Sequence, residues 1–382
     1  MPHIKFVLFL LLIIPDVYIL FFLLWKKSKR AKILHEIPLA LTVVSLGIVA
    51  INGLQQQGVA WRLFIALIVC ITLPKLFFFL FSLLGKIFSL LWSRTAVIGN
   101  VIGFIIGTVA LGMGLYGSSA GWKRISVREV QIVSDELPAS FDGYRLVQLS
   151  DLHVGTYSYA PEKIEDIVRR VNGLNPDVIL FTGDLVNLSS EELLPFMNQL
   201  SCLKAKDGVF SVLGNHDYCT YQPHNTPEKR QEALEKLKNR ERQMGWDLLL
   251  NEHRILYRGT DSIAVVGVEN DGNPPFPALG DLPKATAGLP ESLYKILLSH
   301  DPTHWRRRVL PETNIQLTLS GHTHAMQVKV CGFSPSSFTY PEWGGLYLEG
   351  ERALHVCTGT GSNLPFRWGA WPEIVVLTLH TP

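Results

Sequence analysis

Five short motifs rich in metal-binding residue types follow one another along the last two-thirds of the chain. In order they are Asp151-Leu152-His153, Gly183-Asp184, Gly214-Asn215-His216-Asp217, Ser299-His300-Asp301 and Gly321-His322-Thr323-His324. They offer carboxylate, amide and imidazole donors without cysteine, which suits a pair of divalent ions (Mn, Fe, Zn or Co) rather than a structural zinc. Two ions about 3.5–4 Å apart can activate water and stabilise both oxygens of a phosphoryl displacement. The motifs therefore predict hydrolysis of phosphate esters.

Each motif directly follows a short apolar or alternating run that is typical of a β-strand. The five runs cover residues 144–150, 177–181, 208–213, 294–298 and 315–319. Side chains at the carboxyl ends of several strands can converge on one crevice of an α/β fold. Asp, Asn and Gly also dominate ordinary turns. Five such turns in succession, each behind a strand, favour one shared metal site.

The order D-x-H, G-D, G-N-H-D, an isolated His after a strand and G-H-x-H resembles the calcineurin-like metallophosphoesterase superfamily, from about Val127 to Leu379. The resemblance implies an α/β fold in which two sheets are sandwiched between outer helices, an α-β-β-α layering. It also implies two metal sites that share one bridging carboxylate, Asp184. The implied ligands are Asp151, His153, Asp184 and His324 for one metal, and Asp184, Asn215, His300 and His322 for the other.

By the same resemblance, a hydroxide between the two metals would attack phosphorus in line. His216 would act near the leaving oxygen as a proton donor or charge stabiliser, with Asp217 as an orienting carboxylate. Independently of the family, imidazole suits that role because its pKa lies near neutrality. Arg367 and His304 are further candidates for contact with a phosphate oxygen.

The chain departs from the family pattern directly after G-H-T-H. Membrane-linked members often continue with two glycines and a glutamine, whereas this chain has Ala325, Met326 and Gln327. The metal ligands are unaffected by this difference. The pocket wall, however, gains the flexible apolar side chain of Met326.

The first third of the chain is strongly apolar and predicts membrane-spanning helices. The candidate spans are Ile4–Trp25, Ile37–Ile51, Trp61–Leu84 and Ala96–Tyr116, to be compared with the roughly 20 residues that cross a bilayer. A cleavable signal peptide is disfavoured for the first, because its basic residues follow the apolar run. We therefore expect an all-α bundle of about four spans over residues 1–116, a linker over residues 117–126 and the metallophosphoesterase domain over residues 127–382.

Basic residues are distributed unevenly between the two sides of this bundle. One side carries Lys26, Lys27, Lys29, Arg30, Lys32, Lys86 and Arg94, and the other carries Lys5 and Arg62. Since basic loops stay in the cytoplasm, the catalytic domain should face the periplasm or the cell exterior. Trp343–Tyr347 and Phe366–Trp371 then become candidates for a rim that touches lipid headgroups.

Composition agrees with a membrane protein that has one extramembrane domain. Hydrophobic residues make up 47% of the chain and charged residues 18%. A net charge of +2 gives no argument for a nucleic-acid partner. The five cysteines, Cys70, Cys202, Cys219, Cys331 and Cys357, show no CxxC spacing and are expected to be small buried residues, with a disulfide among the last four open.

Two charges fall inside predicted spans, each directly after a proline. Asp16 follows Pro15 in the first span, and Lys75 follows Pro74 in the third. With both helices starting on the same side at 1.5 Å per residue, the two charges lie at about equal depth, roughly 18–20 Å in. Intramembrane charges usually pair. We expect Asp16 and Lys75 to form an ion pair.

The favoured function is a membrane-anchored, two-metal phosphohydrolase that acts on a phosphodiester or pyrophosphate, of a small molecule or a lipid. One alternative is a transport or sensor protein whose domain is only a metal-dependent binding module. His216 argues against this alternative, since a binding module needs no proton donor. A second alternative is a cytosol-facing pyrophosphatase of lipid precursors. The sequence leaves the substrate, the metal and the oligomeric state open.

Overall fold

The computed structural model describes residues 2–51, 58–222 and 226–382, without the side chains of residues 2–9, 50 and 51. The chain divides into two compact units, residues 1–120 with 364–366 and residues 121–363 with 367–382. The boundary after Ala120 falls within the stretch expected to be a linker. Most of its small residues are not extended, because Gly117–Ser119 continue the preceding helix and Gly121–Lys123 form a 3-10 turn.

The described residues of the first unit are mainly helical. The helices are α1 Pro2–Phe22, α2 Lys29–Ile51, α3 Val59–Leu67, α4 Leu73–Phe88 and α5 Thr95–Ser119. A π-helical turn joins α3 to α4. By length and composition, three described stretches can cross a membrane: Lys29–Val49, Val59–Phe88 and Thr95–Lys123. The prediction of spans is thus confirmed at three places, while the described apolar part of α1, Leu10–Phe22, is shorter than a span.

The expected contact between Asp16 and Lys75 is confirmed, since Lys75 Nζ donates to Asp16 Oδ1. His35 of α2, which the charge pattern does not single out, completes the cluster. Its Nε2 lies 3.3 Å from the same Asp16 oxygen, and Lys75 Nζ lies 3.4 Å from the His35 carbonyl oxygen. Asp16 is only 3% exposed. Three helices, α1, α2 and α4, therefore share one polar cluster around the buried Asp16.

The second unit contains, in its described residues, two six-stranded sheets with helices. The strands are β1 Ser126–Val133, β2 Arg145–Leu149, β3 Val178–Phe181, β4 Val209–Ser211, β5 Asp247–Leu248, β6 Glu252–Arg258, β7 Asp261–Gly267, β8 Tyr294–Leu298, β9 Leu317–Ser320, β10 Gly345–Glu349, β11 Arg352–Val356 and β12 Glu373–His380. The helices are α6 Glu162–Gly173, α7 Met197–Leu200, α8 Pro227–Gln243, α9 Leu282–Ala285 and α10 Leu310–Glu312. The sheet orders are β1-β12-β2-β3-β4-β5 and β10-β11-β9-β8-β7-β6.

The core lies in three layers that separate the sheets from each other and from the helices. Leu146 and Leu180 of the first sheet pack with Ile296 and Leu317 of the second. The outer face of the first sheet packs on α6 and α8 through Ile164, Val168 and Leu237. The outer face of the second sheet is covered by α9 and the turn at Trp305, through Leu282, Ala285 and Trp305. The predicted α-β-β-α layering is confirmed.

The strand directions bring the five motifs to one end of the sandwich. The predicted runs correspond to β2, β3, β4, β8 and β9. Strands β2, β3 and β4 pair in parallel, as do β8 and β9. The carboxyl ends of these parallel strands therefore lie at the same edge of each sheet. Each motif occupies the loop that follows its strand.

Two of the five cysteines differ from expectation. Cys219 and Cys357 are buried, but Cys202 and Cys331 are exposed. All five lie in the described residues, and none of them forms a disulfide there.

Candidate metal centre

Sharp backbone turns place the polar side chains of the motifs. Five motif residues adopt left-handed backbone, with φ between 46° and 74°, and they are Asp151, His153, Asp184, His322 and His324. Such φ values are uncommon outside glycine and cluster at functional sites. Two motif glycines leave the room that these turns need. A Cβ at Gly214 would lie 2.3 Å from Asp184 Oδ1, and one at Gly321 would lie 2.3 Å from Asp151 Oδ2.

Asp151, His153 and His324 form one compact group of potential metal ligands, with ligand atoms within 4.8 Å of one another. His324 Nε2 lies 3.3 Å from Asp151 Oδ1 and 3.0 Å from His153 Nε2. His153 Nδ1 donates to the Val186 carbonyl oxygen at 3.1 Å, which leaves Nε2 as the lone-pair nitrogen. Two imidazole nitrogens and a carboxylate oxygen thus face one point.

Asp184, His300 and His322 form a second group by the same criterion. His300 Nε2 lies 3.2 Å from Asp184 Oδ2, and it is a buried nitrogen without a hydrogen bond in the described residues. His300 Nδ1 is fixed by the Thr182 carbonyl oxygen at 2.7 Å. Asn215 joins this group, because its Oδ1 lies 2.8 Å from His322 Nδ1. All four residues expected around one metal therefore come together.

Asp184 also lies beside the first group, since its Oδ2 is 3.6 Å from His153 Nε2. His216 lies next to His153 and Asp184, and these three residues form a further potential ligand group. The Nδ1 of His216 is 2.6 Å from the Asn187 carbonyl oxygen, and its backbone N–H donates to Asp184 Oδ1 at 2.8 Å. This arrangement fixes the ring and leaves its Nε2 for chemistry.

The expected pairing of Asp217 with His216 is wrong. Both carboxylate oxygens of Asp217 accept backbone N–H groups instead, from Asp184, Leu185, Val186 and Gly214 at 2.8–3.2 Å. The acceptor that orients His216 is the carbonyl of Asn187. Asp217 is thus a buried support that joins the Gly183-Asp184 loop to the Gly214-Asn215 loop, because a carboxylate satisfies several orphan donors at once.

Burial and the neighbouring charges set the protonation of the site. Burial lowers the pKa of His153 to about 3 and that of His324 well below its ordinary value, which leaves both imidazoles neutral. Burial also opposes charging of His300, but the attraction of Asp184 outweighs it and raises the pKa of His300 to about 10. Burial raises the pKa of Asp151 to about 6. Neutral imidazole is the form that binds metals, so a metal ion at His300 would displace the proton that Asp184 stabilises there.

Two tyrosines in the site carry no recognisable sequence signal. Tyr221 OH accepts a hydrogen bond from Asn215 Nδ2 at 2.9 Å, and its ring lies 4.5 Å from that of His216. Tyr340 OH lies 2.8 Å from His322 Nε2. Tyr221 follows Asn215 by six residues and Tyr340 follows His322 by 18, and no local pattern predicts either contact. Neither tyrosine belongs to a motif.

The two candidates for phosphate contact are fully buried. Arg367 donates to the carbonyl oxygens of Thr358 and Ala370 at 2.9 Å, with its Nη2 also 2.9 Å from His324 Nδ1. His304 Nδ1 lies 2.8 Å from Ser299 Oγ. Arg367 therefore supports the backbone behind His324, and His304 supports the loop of His300.

Comparison with known proteins places this geometry in a family. Residues 144–326 match the model of the calcineurin-like phosphoesterase family. The chain is 31% identical over 326 residues to a transmembrane protein with metallophosphoesterase domain of Danio rerio, covering 80% of this chain and 70% of that protein. The chain belongs to the calcineurin-like phosphoesterases. As a member it is a metal-dependent phosphoesterase with apolar helices ahead of its catalytic unit.

Two other relatives of this calcineurin-like phosphoesterase are bacterial. The uncharacterized metallophosphoesterase YkuE of Bacillus subtilis is 28% identical over 297 residues, covering 72% of this chain and 95% of that protein. The UDP-2,3-diacylglucosamine pyrophosphatase LpxG of Chlamydia trachomatis is 27% identical over 287 residues, covering 63% of this chain and 84% of that protein.

The side chains of this phosphoesterase fit divalent ions. The two groups contain buried imidazoles, carboxylates and one amide oxygen, the donors that borderline and hard divalent metals accept. The Nε2 atoms of buried His153 and His324 lie 3.0 Å apart, close enough for both imidazoles to bind one cation. Metal ligands are usually held by a second hydrogen bond, and His153, His300 and His322 each have one.

Proposed function

We propose that this phosphoesterase uses two divalent ions to hydrolyse a phosphodiester or pyrophosphate bond. One ion would be held by Asp151, His153, Asp184 and His324, and the other by Asp184, Asn215, His300 and His322. The observation that carries the proposal is the position of Asp184, whose Oδ2 lies within 3.6 Å of His153 Nε2 and 3.2 Å of His300 Nε2. Bound ions would polarise the phosphoryl oxygens and lower the pKa of water.

The remaining chemistry falls to His216. With its Nδ1–H donated to the Asn187 carbonyl, a proton on Nε2 can pass to the leaving oxygen. The ring is only partly buried, so a substrate can reach it. Asp217 keeps the loops of Asp184 and Asn215 in register through their backbone N–H groups. His216 is the general acid and Asp217 a positioning residue.

A lipid-linked substrate is the finer part of the proposal. Its support is the apolar first unit, with more spans than an anchor requires, and the similarity to a pyrophosphatase whose named substrate is a diacylglucosamine nucleotide. The uneven distribution of basic residues supports a catalytic unit outside the cytoplasm. Together these features support the proposal of a membrane phosphohydrolase that cleaves lipid-linked phosphates at the outer surface.

Turnover by purified full-length protein tests this function. Protein loaded separately with Mn, Fe, Zn or Co is offered an aryl phosphodiester, an aryl monoester and a panel of lipid pyrophosphates. We expect about two ions per chain and hydrolysis of the diester or of a pyrophosphate, both lost in Asp184→Asn. Protein that binds two ions but turns over none of these compounds would favour a binding module instead. Exclusive turnover of the monoester would overturn the substrate class.

A further inference from the structure

An apolar loop, residues 326–338, projects from the catalytic unit directly after His324. Its exposed apolar side chains are Met326, Val330, Phe333 and Phe338, of which Phe338 is 84% exposed. Val330 and Phe333 exchange both backbone hydrogen bonds at 2.8 and 2.9 Å around Cys331 and Gly332. The last two have φ of 50° and 83°. This is a two-residue hairpin of the primed type, which fixes the loop's tip.

Contacts within and beside the apolar loop fix its backbone. Ser334 Oγ donates to the Ala325 carbonyl oxygen at 2.6 Å, next to His324. The rings of Phe333 and Phe338 lie 5.6 Å apart. Just beyond the loop, Tyr340 OH contacts His322 Nε2. Several apolar side chains are therefore exposed together on a loop whose backbone is fixed, a feature that marks candidate binding surfaces.

A continuous series of contacts joins the apolar loop to the start of the catalytic unit. Lys329 N donates to the Trp368 carbonyl oxygen at 2.8 Å, and the rings of Trp368 and Trp371 lie 6.1 Å apart. Trp371 in turn lies under the Arg124 guanidinium, 5.1 Å from it, and beside Gly121, where an added Cβ would lie 2.9 Å from the ring. The apolar loop and residues 121–124, where the catalytic unit begins, therefore share one stretch of surface.

A short connection joins that stretch to a candidate membrane span. Helix α5, which belongs to the candidate span Thr95–Lys123, ends at Ser119, and β1 begins at Ser126. Even fully extended, the seven intervening steps reach no more than about 25 Å at 3.3–3.6 Å each. Three basic residues, Lys123, Arg124 and Lys329, lie along the same stretch and suit anionic headgroups.

We propose that the apolar loop inserts into the interfacial layer of the bilayer that holds the chain. Phenylalanine, methionine and valine flanked by lysine and arginine form the pattern that binds such a layer. Half-buried Trp343 and Trp368 border the loop through Lys329 and suit the headgroup level. The insertion would set the metal centre beside the lipid headgroups. This proposal does not depend on the hydrolytic activity proposed above.

Two native cysteines provide a matched pair of probes. Cys331 lies at the tip of the apolar loop, and Cys202 is exposed on another part of the catalytic unit. Each is labelled alone with an environment-sensitive fluorophore, in full-length protein carrying Cys70→Ala and either Cys202→Ser or Cys331→Ser. The protein is reconstituted into nanodiscs with or without lipids brominated near the headgroup. We expect brominated lipids to quench the Cys331 probe at least twofold and to leave the Cys202 probe unchanged.

Loop variants separate insertion from mere proximity. Phe333→Ser with Phe338→Ser should abolish the quenching at Cys331, while Tyr257→Ser should not. Tyr257 is 72% exposed and lies on β6, the edge strand opposite β10. Unchanged metal content would show that the variants fold. Equal quenching at the two cysteines, or quenching that survives the double substitution, would overturn the proposal. So would a blue shift in lipid-free detergent that grows with protein concentration, which would assign the loop to contact between copies.

Discussion

At the scale of single residues, the hydrogen bond of one ring nitrogen of a histidine determines whether the other ring nitrogen can bind a metal or carry a proton. His153, His216 and His300 all direct Nδ1 at a backbone carbonyl, those of Val186, Asn187 and Thr182, so Nε2 faces the site. His322 is reversed, because its Nδ1 faces Asn215 Oδ1 and its Nε2 faces Tyr340. The carbonyl partners place the Nδ1 proton of the first three imidazoles. Backbone carbonyls thus select ligand atoms that the motifs alone leave open.

Replacing His216 separates proton transfer from metal binding. His216→Ala should keep about two ions per chain yet lose rate by roughly 10²–10⁴-fold, the usual contribution of a general acid. Metal analysis and turnover of a substrate with a poor leaving group measure both quantities. A leaving group that needs no proton should reduce the loss. If His216→Ala loses metal as well, the residue is a metal ligand and not a general acid.

Tyr221 should act through Asn215. Tyr221→Phe removes the oxygen that accepts Asn215 Nδ2, so the amide is free to rotate its Oδ1 away from His322. Loss of such a supporting contact typically costs about 10–100-fold in metal affinity, and we expect one of the two ions to weaken by that factor in a metal titration. Tyr257→Phe, which changes a largely exposed tyrosine, is the control. Equal affinity of the Tyr221 variant and the control would show that Asn215 is oriented by other means.

At the scale of elements, the sequence predicts those strands and helices that depend on local residue patterns. The strands behind the motifs and helix α8 follow from apolar runs and from the Thr226-Pro227 start, whose Thr226 Oγ1 accepts Lys229 N at 3.3 Å. Contacts between residues apart in sequence do not follow, so the sequence does not predict the roles of Tyr340 and His35. Tyr221 lies only six residues after Asn215, but the irregular loop between them has no pattern that predicts the contact. Asp217 was misread for a related reason, because its neighbour in sequence is not its partner in space. Residues 117–119 continue α5 despite their small side chains, and in this last turn Ser119 Oγ donates to the Leu115 carbonyl oxygen at 2.6 Å.

In the turn after His324, glycine should be more stabilising than alanine at Met326, the reverse of the usual order in a helix. Met326 has φ 43°, in the left-handed region where a Cβ costs roughly 1–2 kcal/mol. Met326→Gly should therefore unfold at a higher temperature than Met326→Ala, by about 2–4 °C for each kcal/mol. At an ordinary helical position, Ala is instead favoured over Gly by about 0.5–1 kcal/mol. Lys236→Ala and Lys236→Gly within α8 supply that ordinary order. If the alanine variant is more stable than the glycine variant at both positions, Met326 does not lie in a left-handed turn.

At the scale of the whole molecule, the chain divides into an apolar unit and a catalytic unit. Thiol labelling can show which side of the membrane the catalytic unit faces. Cys202 is exposed in the catalytic unit, and Ser28 lies between α1 and α2, also exposed. In a Cys331→Ser background, an impermeant thiol reagent added to intact cells should label Cys202. After Cys202→Ser, a cysteine at Ser28→Cys should stay unlabelled until the cells are opened. The reverse pattern would place catalysis in the cytosol and favour a pyrophosphatase of lipid precursors.

The cluster of Asp16, His35 and Lys75 gives a test of how the apolar unit is held together. Breaking a buried ion pair from one side typically costs about 3–5 kcal/mol, whereas removing both charges costs far less. Asp16→Asn and Lys75→Met should therefore each lower the yield and thermal midpoint of the detergent-solubilised chain, and the double variant should be more stable than either single one. His35→Gln should be milder, because His35 also accepts Lys75 through its backbone carbonyl, which the substitution keeps. The exposed pair Glu232 and Lys236 on α8 is the control, with additive effects within about 0.5 kcal/mol. A double variant no better than the worse single one would mean that Asp16 and Lys75 do not depend on each other, and that the three helices are held by their apolar faces alone.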